Sequence, residues 1–389
     1  MRIGMACPHP DMPTGYANQA ALIIKRLQAA GHDMAVFATA GQPNHPGWWQ
    51  GVPVYPCTTY ADFGEDVVAH HFRSHKADVV FTLMCTWILK FPQIWREMRT
   101  VHITPVDCAP MSFADCEVIE NSGGTPAAIS QFGLEQMRSG GHPGNERPRL
   151  QPLYLPHGID TAVYSPAMDR QALRASMGYD GKWVVGMNFM NNDRQRKNIY
   201  QAMRGFAEFF HGNQEIGPHP DALLAIHALN ALPDGFNLHR IARHLGIDQA
   251  IHWSPQYELV TGMIRPELLA DWYRPLDVLV NIGNEGFGLP ALEAQACAVP
   301  VILGAWSTGP ELAGPGWLIP ESESDPLWNE KHRADWRVAR PAAVAAALAR
   351  AYDDGPSPGR RAASRDNALT WSIDTIIHER WEPVLGELG

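Results

Sequence analysis

No stretch of the chain approaches the roughly 18 consecutive apolar residues that a membrane-spanning helix requires. The six cysteines include no C-x-x-C pair, so their spacing indicates neither a zinc site nor a disulfide framework. The apolar start, Met1 to Pro8, runs directly into polar loop residues, which is typical of a buried strand and not of a signal peptide. These features predict a protein of the reducing cytoplasm.

Several catalytic signatures are also missing. The chain has no G-x-x-x-x-G-K-[ST] and no H-E-x-x-H, and no G-x-G-x-x-G follows its first strand. These absences argue against a P-loop kinase, a zinc protease and a dinucleotide oxidoreductase. No D-x-D occurs, so we expect neither a metal site of that kind nor a cofactor. The net charge of -10 disfavours nonspecific binding to nucleic acid.

The 389 residues, 45% of them hydrophobic and 19% charged, suit a globular chain of two domains. Within the first forty residues, an apolar run from Arg2 to Cys7 precedes a helical pattern with Ala20, Ile23, Ile24 and Leu27 on one face. A second apolar run follows at Met34 to Ala38, and this order predicts a parallel strand, helix and strand unit. Further strands are predicted at 78–84, 101–104, 127–130 and 153–155.

The same alternation begins again at Trp183, so the second half is predicted to repeat the architecture of the first. Its predicted strands cover 183–187, 222–227, 251–253, 278–282 and 299–303, and its predicted helices cover 198–210, 238–245, 266–273 and 290–298. Pro156 to Gly181 lacks a long apolar run and suits a connection. We therefore predict an α/β protein of two doubly wound, Rossmann-like domains facing across a cleft. The predicted domains are 1–170 and 171–370, with a final helix over 371–389.

One glycine-rich turn stands out between a strand and a helix. Gly283-Asn284-Glu285-Gly286-Phe287-Gly288-Leu289-Pro290 follows the apolar strand at 278–282 and opens a helix. Free N–H groups at such a turn bind phosphate or hydroxyl oxygens. Glu285 and Glu293 flank the turn, and carboxylates accept hydrogen bonds from paired sugar hydroxyls. The alternative is that both glutamates only complement the helix dipole.

This segment, Glu285-Gly-Phe-Gly-Leu-Pro-Ala-Leu-Glu293-Ala followed by Ala298-Val-Pro-Val-Ile, resembles the E-x7-E signature of family 4 retaining glycosyltransferases of the GT-B fold. The resemblance implies that Glu285, with Phe287 and Gly288, faces the sugar and phosphates of a nucleotide diphosphate sugar. It also implies that Glu293 holds the ribose hydroxyls. The neighbouring Gly286 and Leu289 join the predicted donor site.

Two further segments resemble the same family. Pro156-His157-Gly158-Ile159-Asp160 is similar to its loop between domains, and Arg196-Lys197-Asn198 is similar to its diphosphate site. The resemblance implies that Lys197 neutralises charge on the leaving diphosphate. Relatives carry an arginine a few residues earlier, whereas this chain offers both Arg194 and Arg196, and the sequence does not choose between them. The alternative for Lys197 is a solvated cation in the first turn of a helix.

The first half supplies weaker candidates. Gly15, after the first strand, resembles a glycine near donor phosphate and acceptor, although a plain tight turn is an equal alternative. The family's histidine is absent from the stretch 81–87. Asp107 lies in a P-V-D-x-x-P loop that resembles one found in a subgroup of the family, and this resemblance makes it the candidate for contact with the reacting sugar or acceptor. The alternative is a turn-forming aspartate. His102 is predicted to be a packed strand residue.

The resemblance implies a retaining, metal-independent hexosyltransferase, with Glu285, Lys197 and Asp107 as the catalytic candidates. UDP-sugar is the donor suggested by frequency alone, and the hydroxyl acceptor is open: a glycan, lipid, protein or modified nucleic-acid base. Two other functions fit the same sequence. One is a nucleotide-sugar epimerase of this fold, and the other is a catalytically silent nucleotide-sugar binding module.

Overall fold

The computed structural model describes residues 1–42, 45–57, 62–139, 150–330, 332–355 and 357–389. The chain forms two compact units. Unit 1 comprises Met1–Gly158, Asn329–Ala334 and Ser372–Gly389, and unit 2 comprises Ile159–Trp328 and Asp335–Trp371. Among the described helices, none has the length and apolar character that crossing a membrane demands.

Unit 1 is built on an eight-stranded sheet whose order is β3-β4-β2-β1-β5-β6-β7-β8. Its strands are β1 Arg2–Pro8, β2 Asp33–Ala40, β3 Gly47–Trp49, β4 Val52–Tyr55, β5 Val79–Leu83, β6 Thr100–Thr104, β7 Thr125–Ala128 and β8 Leu153–Tyr154. All neighbours are parallel except β3 and β4, which form an antiparallel hairpin. The inner strands are buried along most of their length because helices cover both faces of such a sheet.

Five helices of unit 1 connect these strands: α1 Gly15–Ala29, α2 Glu65–His75, α3 Pro92–Trp95, α4 Phe113–Ser122 and α5 Gln131–Ser139. Helix α1 begins after Thr14, whose side chain accepts a hydrogen bond from the N–H of Ala17. Its buried face includes Ala20, Ile23, Ile24 and Leu27, which are the residues that the apolar spacing predicts.

The C-terminal segment of unit 1 is helical from Ile373 to Leu388, within the helix predicted over 371–389. It consists of α15 Ile373–Ile376, a π-helical turn Ile377–Trp381 and α16 Glu382–Leu388. The turn directs the ring of Trp381, which is 1% exposed, against Phe81 of β5 at a centroid distance of 5.0 Å. Burying two large aromatic side chains fixes this segment on unit 1.

Unit 2 contains a six-stranded parallel sheet of order β11-β10-β9-β12-β13-β14. The strands are β9 Trp183–Asn188, β10 Ala222–His227, β11 Ile251–Trp253, β12 Val278–Asn281, β13 Val301–Gly304 and β14 Trp317–Ile319. The helices are α6 Arg170–Ser176, α7 Ile199–His211, α8 Leu238–His244, α9 Gln256–Val260, α10 Pro266–Tyr273, α11 Leu289–Ala296, α12 Gly309–Leu312, α13 Pro341–Asp354 and α14 Pro358–Leu369. A separate two-stranded sheet pairs β15 Ser324–Asn329 with β16 Ala334–Ala339.

Residues 159–170, assigned to the first domain from the sequence, group with unit 2. The N–H of Ile159 donates to the carbonyl of Trp371 at 3.0 Å. The guanidinium groups of Arg170 and Arg174 both bind the buried carboxylate of Asp277, at 2.6 and 3.0 Å. Two cations around one buried carboxylate anchor the connecting segment firmly to the sheet of unit 2.

In each sheet, the chain first adds strands on one side of its first strand and then adds the later strands on the other side. The position between the first strand and the strand that begins the other side is the switch point. In unit 1 this switch point lies between β1 and β5, and in unit 2 it lies between β9 and β12. Loops at the carboxyl ends of the two strands at a switch point diverge and leave room for a ligand. The loops after β9 and β12 are therefore where the unit 2 site is expected.

Candidate active site

The loops after β9 and β12 pack directly against each other. The N–H of Asn284, after β12, donates to the carbonyl of Arg196, after β9, at 2.8 Å. A Cβ atom added at Gly283 would lie 3.2 Å from the Cα of Lys197, so only glycine permits this approach without a shift of the neighbouring backbone. The parallel sheet thus brings together two segments that are distant in the sequence.

An ion pair joins these two loops. The Nζ atom of Lys197 lies 2.6 Å from both carboxylate oxygens of Glu285. The guanidinium of Arg196 donates to the carbonyl of Asn284 at 2.9 Å and lies 3.5 Å from the Glu285 carboxylate. The side chains of Lys197 and Glu285 are each 14% exposed. Because both groups are largely withdrawn from water, their attraction is screened little by salt.

The environment of Glu285 keeps its carboxylate ionised. Burial by itself would raise its pKa, but the charges of Lys197 and Arg196 and their hydrogen bonds outweigh burial and hold the pKa below its usual value. A negatively charged group between two cations can accept hydrogen bonds from hydroxyls, and the cations can meet an anion.

Two asparagines fix the backbone around this ion pair. The side chain of Asn198 donates to the carbonyls of Ile282 and Arg337, and its own backbone is left-handed with φ 52°. The side chain of Asn284 donates to the carbonyl of Arg337 and accepts from its N–H, at 2.9 and 2.8 Å. Both loops are thereby tied to β16. Both asparagines lie in segments that the sequence singled out, but this role of their side chains was not predicted.

The two candidate arginines lie in different surroundings. Arg196 contacts Glu285, whereas the guanidinium of Arg194 donates to the carbonyls of Gly235 and Pro233, at 2.8 and 3.4 Å. Asn191 binds the same loop through the carbonyl and N–H of Phe236. In the described part of the chain, Arg196 is therefore the arginine that the structure places beside Lys197, and Arg194 holds the loop after β10.

The predicted glycine turn forms the start of α11. Gly288 is its N-cap residue with φ 109° and ψ 47°, a backbone region that side-chain-bearing residues rarely adopt, and Leu289 and Pro290 begin the helix. Gly286 is buried, and Phe287 packs its ring edge-on against Trp371 at 5.6 Å. Phe287 therefore supports the turn through a packing contact, and its predicted contact with a donor sugar stays a prediction.

Glu293 has a different environment from Glu285. Its carboxylate, on α11, accepts a hydrogen bond from the hydroxyl of Tyr273 at 2.8 Å and another from Tyr164. The hydroxyl of Tyr273 in turn accepts from the side chain of Asn188 at 2.6 Å. Burial raises the pKa of Glu293 to about 7, although the two tyrosine hydrogen bonds lower it. Sequence reasoning did not find these tyrosines, which lie outside every motif it used.

A small recess of about 10 Å³, enough for a single water molecule, adjoins the turn within unit 2. Its walls include Glu285, Gly288 and Thr308, together with the apolar side chains of Trp306 and Leu312.

The first-strand loop of unit 1 carries Gly15 as the first residue of α1. The next residue, Tyr16, brings its hydroxyl to 2.9 Å from the thiol of Cys85, which follows β5. These two residues thus meet at the switch point of unit 1. Cys85 occupies the stretch where the sequence lacks the family's histidine.

Asp107 lies after β6, in the loop that contains the cis peptide Ala109-Pro110. A second carboxylate, Asp115, lies close enough for its charge to influence that of Asp107, and it accepts a hydrogen bond from Thr86 at 2.5 Å. Burial raises the pKa of Asp115, with the hydrogen bond from Thr86 acting in the opposite direction. The sequence named Asp107 and missed Asp115.

Parts of this sequence are similar to known glycosyltransferases. Residues 241–354 match the family described as Glycosyl transferases group 1. A D-inositol 3-phosphate glycosyltransferase of Rhodococcus erythropolis is 32% identical over 196 residues, which is 49% of this chain and 39% of the relative. A protein with the same description from Pseudarthrobacter chlorophenolicus is 28% identical over a match that covers 65% of this chain and 54% of its own length. The matches thus span about four to five tenths of these relatives.

Solved structures resemble the whole chain. Sucrose-phosphate synthase from Thermosynechococcus elongatus gives a TM-score of 0.73 at 16% identity and covers 100% of both chains. The Anabaena protein HepE, in complex with UDP and glucose, gives a TM-score of 0.70 at 16% identity and covers 99% of this chain and 100% of its own.

These findings, with the two sheets and the loops at their switch points, define the class of the protein: it has the α/β GT-B fold of glycosyltransferases, as the sequence predicted. The match of residues 241–354 to the group 1 glycosyltransferases and the similarity to the relatives agree with the resemblance to family 4 that the sequence indicates.

Proposed function

We propose that this chain is a retaining hexosyltransferase that takes a hexose from a nucleotide diphosphate sugar and transfers it to a hydroxyl acceptor. The observation that carries the proposal is the contact of Lys197 with both oxygens of Glu285 at the switch point of unit 2. A cation for the diphosphate and a carboxylate for the sugar stand side by side there. The relative crystallised with UDP and glucose supports a donor of this chemistry.

In the proposed reaction, the bond between C1 of the hexose and the diphosphate oxygen breaks, and its electron pair stays with the diphosphate. The acceptor oxygen forms the new bond to C1 on the same face, and its proton passes to the leaving phosphate. Lys197 and Arg196 would stabilise the developing negative charge, so the proposal requires no metal ion. Glu285 would orient the sugar, Glu293 would bind the ribose and Asp107 would contact the sugar or acceptor.

The reaction is proposed for a reducing compartment, which for this chain means the cytoplasm. Cys7, Cys57, Cys108 and Cys297 are free thiols in the structure. Free thiols persist in proteins of reducing compartments.

The first test is substitution of the carboxylate. Glu285→Gln should lower transfer by two or more orders of magnitude, because removing one preorganised electrostatic group at a reacting centre has about that effect. Glu379→Gln, which changes an exposed glutamate, should transfer as the wild type does. Turnover would be measured with UDP-, GDP- and ADP-hexoses against acceptors that include D-inositol 3-phosphate, the compound in the relatives' name. Full activity of Glu285→Gln would remove this residue from the site.

A second measurement separates the competing functions. NMR of the product gives the anomeric configuration, and inversion would contradict the retaining mechanism. Conversion of a labelled nucleotide sugar without any acceptor would indicate an epimerase. Tight binding with neither hydrolysis nor transfer would indicate a silent binding module.

Lys197→Ala should weaken binding of the nucleoside diphosphate more than binding of the free nucleoside, because only the nucleoside diphosphate has phosphates that Lys197 can bind.

A further inference from the structure

The carboxylate of Glu285 is already occupied in this structure. Both of its oxygens accept from Lys197 at 2.6 Å, and Arg196 lies 3.5 Å away. The proposed donor makes competing demands on this arrangement. Its sugar hydroxyls require the lone pairs of the carboxylate, while its diphosphate requires the charge of the two cations. The ion pair and the donor are therefore alternative partners for the same groups.

The burial of the pair makes this competition strong. Lys197 and Glu285 are each 14% exposed, so separating them without a replacement partner would leave a charge uncompensated in a poorly solvated place. A diphosphate carries more than one negative charge and can replace the carboxylate as the partner of Lys197. Glucose is neutral and cannot. Free sugar alone should thus fail to open the pair.

The surrounding backbone limits the change to side chains. The N–H of Glu285 donates to the hydroxyl of Ser307 at 3.1 Å, which fixes one side of the residue. The side chains of Asn284, the residue before Glu285, and of Asn198, the residue after Lys197, both donate to the carbonyl of Arg337 in β16. A bound diphosphate can therefore draw the Lys197 ammonium away while the Glu285 backbone keeps its place.

We propose that the Lys197–Glu285 ion pair couples recognition of the two halves of the donor: a bound nucleoside diphosphate takes Lys197 and so frees Glu285 to bind the hexose. This inference rests on the proposed function. It implies that nucleoside diphosphate and free hexose bind cooperatively, and linkage requires that each raises the affinity for the other by the same factor.

The decisive variant is Glu285→Gln. Without the competing carboxylate, Lys197 should bind a diphosphate about tenfold more tightly than in the wild type, within the usual range of coupling factors. Isothermal titration calorimetry with UDP, GDP and ADP measures this affinity, and Glu379→Gln serves as the matched control with unchanged affinity. The expected gain is distinctive, because a variant that merely damaged the site would bind less tightly. Unchanged or weaker binding by a folded Glu285→Gln protein would overturn the coupling.

A second measurement requires no variant. Wild-type protein saturated with the tightest-binding of these nucleoside diphosphates should bind glucose at least fivefold more tightly than the protein alone. Equal glucose affinity with and without the nucleotide would overturn the coupling while leaving the proposed function standing. Failure of all three nucleoside diphosphates to bind would instead overturn the proposed function and the coupling with it.

Discussion

Glu285 and Glu293 show how the surroundings of a carboxylate set its chemistry. Both are glutamates at the two ends of one glycine turn. Glu285 lies against two cations and has a lowered pKa, whereas Glu293 lies against two tyrosine hydroxyls and has a pKa raised to about 7. Near neutral pH, the first is an acceptor of hydrogen bonds only, while the second is close to its own pKa.

The raised pKa of Glu293 predicts a pH-dependent stability. An acid whose pKa is 4.5 when unfolded and about 7 when folded binds more protons in the folded state between these values. Its contribution to stability therefore decreases as the pH rises through this window. Glu293→Gln removes this contribution, so its melting temperature relative to the wild type should increase from pH 5 to pH 8. Differential scanning calorimetry of both proteins across this range measures the effect.

Tyr273→Phe provides the control for that prediction. It removes a hydrogen bond that favours ionised Glu293, so its melting temperature relative to wild type should fall as pH rises, opposite to the trend of Glu293→Gln. A constant difference between Glu293→Gln and wild type across the range would contradict a raised pKa at this residue.

At the scale of elements, the sequence predicts the central parallel strands well, and it predicts the edge strands and the separate two-stranded sheet poorly. The strands of the core are continuous apolar runs separated by helical patterns, and this combination is typical of a parallel sheet covered by helices. The hairpin β3–β4 and the pair β15–β16 were not predicted, because their residues are few or alternate with exposed polar ones. Strand β14 was missed as well, since three residues carry little pattern.

The site was predictable only where a local motif carries it. Glu285, Lys197 and the glycine turn came from short sequence patterns, and the structure brings the first two into contact. The asparagine scaffold and the tyrosines around Glu293 were not found. Asn284 meets Arg337 across 53 residues, and Tyr273 meets Glu293 across 20. Contacts of this kind depend on how strands are ordered in the sheet, which periodicity does not specify.

The start of α11 allows a test at this scale. Gly288 has φ 109°, and an added Cβ would lie 3.1 Å from the side chain of Leu312. Gly288→Ala should therefore lower the free energy of unfolding by about 1–3 kcal/mol, the usual range for a residue held in a disfavoured backbone region. Chemical denaturation followed by circular dichroism measures this change.

Gly217→Ala is the matched substitution for Gly288→Ala. Gly217 has no positive φ, and a Cβ placed there meets nothing within 4 Å, so this variant should unfold like the wild type. Equal stability of the two variants would show that the turn tolerates a side chain, and the argument that it requires glycine at 288 would fail.

At the scale of the whole molecule, buried histidines determine its response to acid. Burial lowers the pKa of His102 to about 4, of His157 to about 3 and of His227 to about 4. Each is neutral in the folded state and would take up a proton on unfolding below its ordinary value of 6.5. Their contribution to stability is thus present above that ordinary value and is lost as the pH falls toward the lowered values.

We therefore expect the protein to unfold in mild acid. In unit 1, the two protons that His102 and His157 take up on unfolding amount to about 3 kcal/mol per pH unit, a large share of the ~5–15 kcal/mol of a typical domain. In unit 2, the proton that His227 takes up is opposed by the one that Glu293 releases. Melting temperatures between pH 7.5 and pH 5 should fall steeply. His378→Gln, at an exposed histidine, should follow the same curve. A flat profile would mean that the three rings are not held neutral.

The division of unit 1 in the sequence has a consequence for its biosynthesis. The ring of Trp381 covers Phe81, yet all of unit 2 is translated between these two side chains. At ~5–20 residues per second, the ribosome needs on the order of fifteen to sixty seconds to cross that interval. During this time the nascent first sheet presents an uncovered aromatic surface, which makes it a natural client for chaperones.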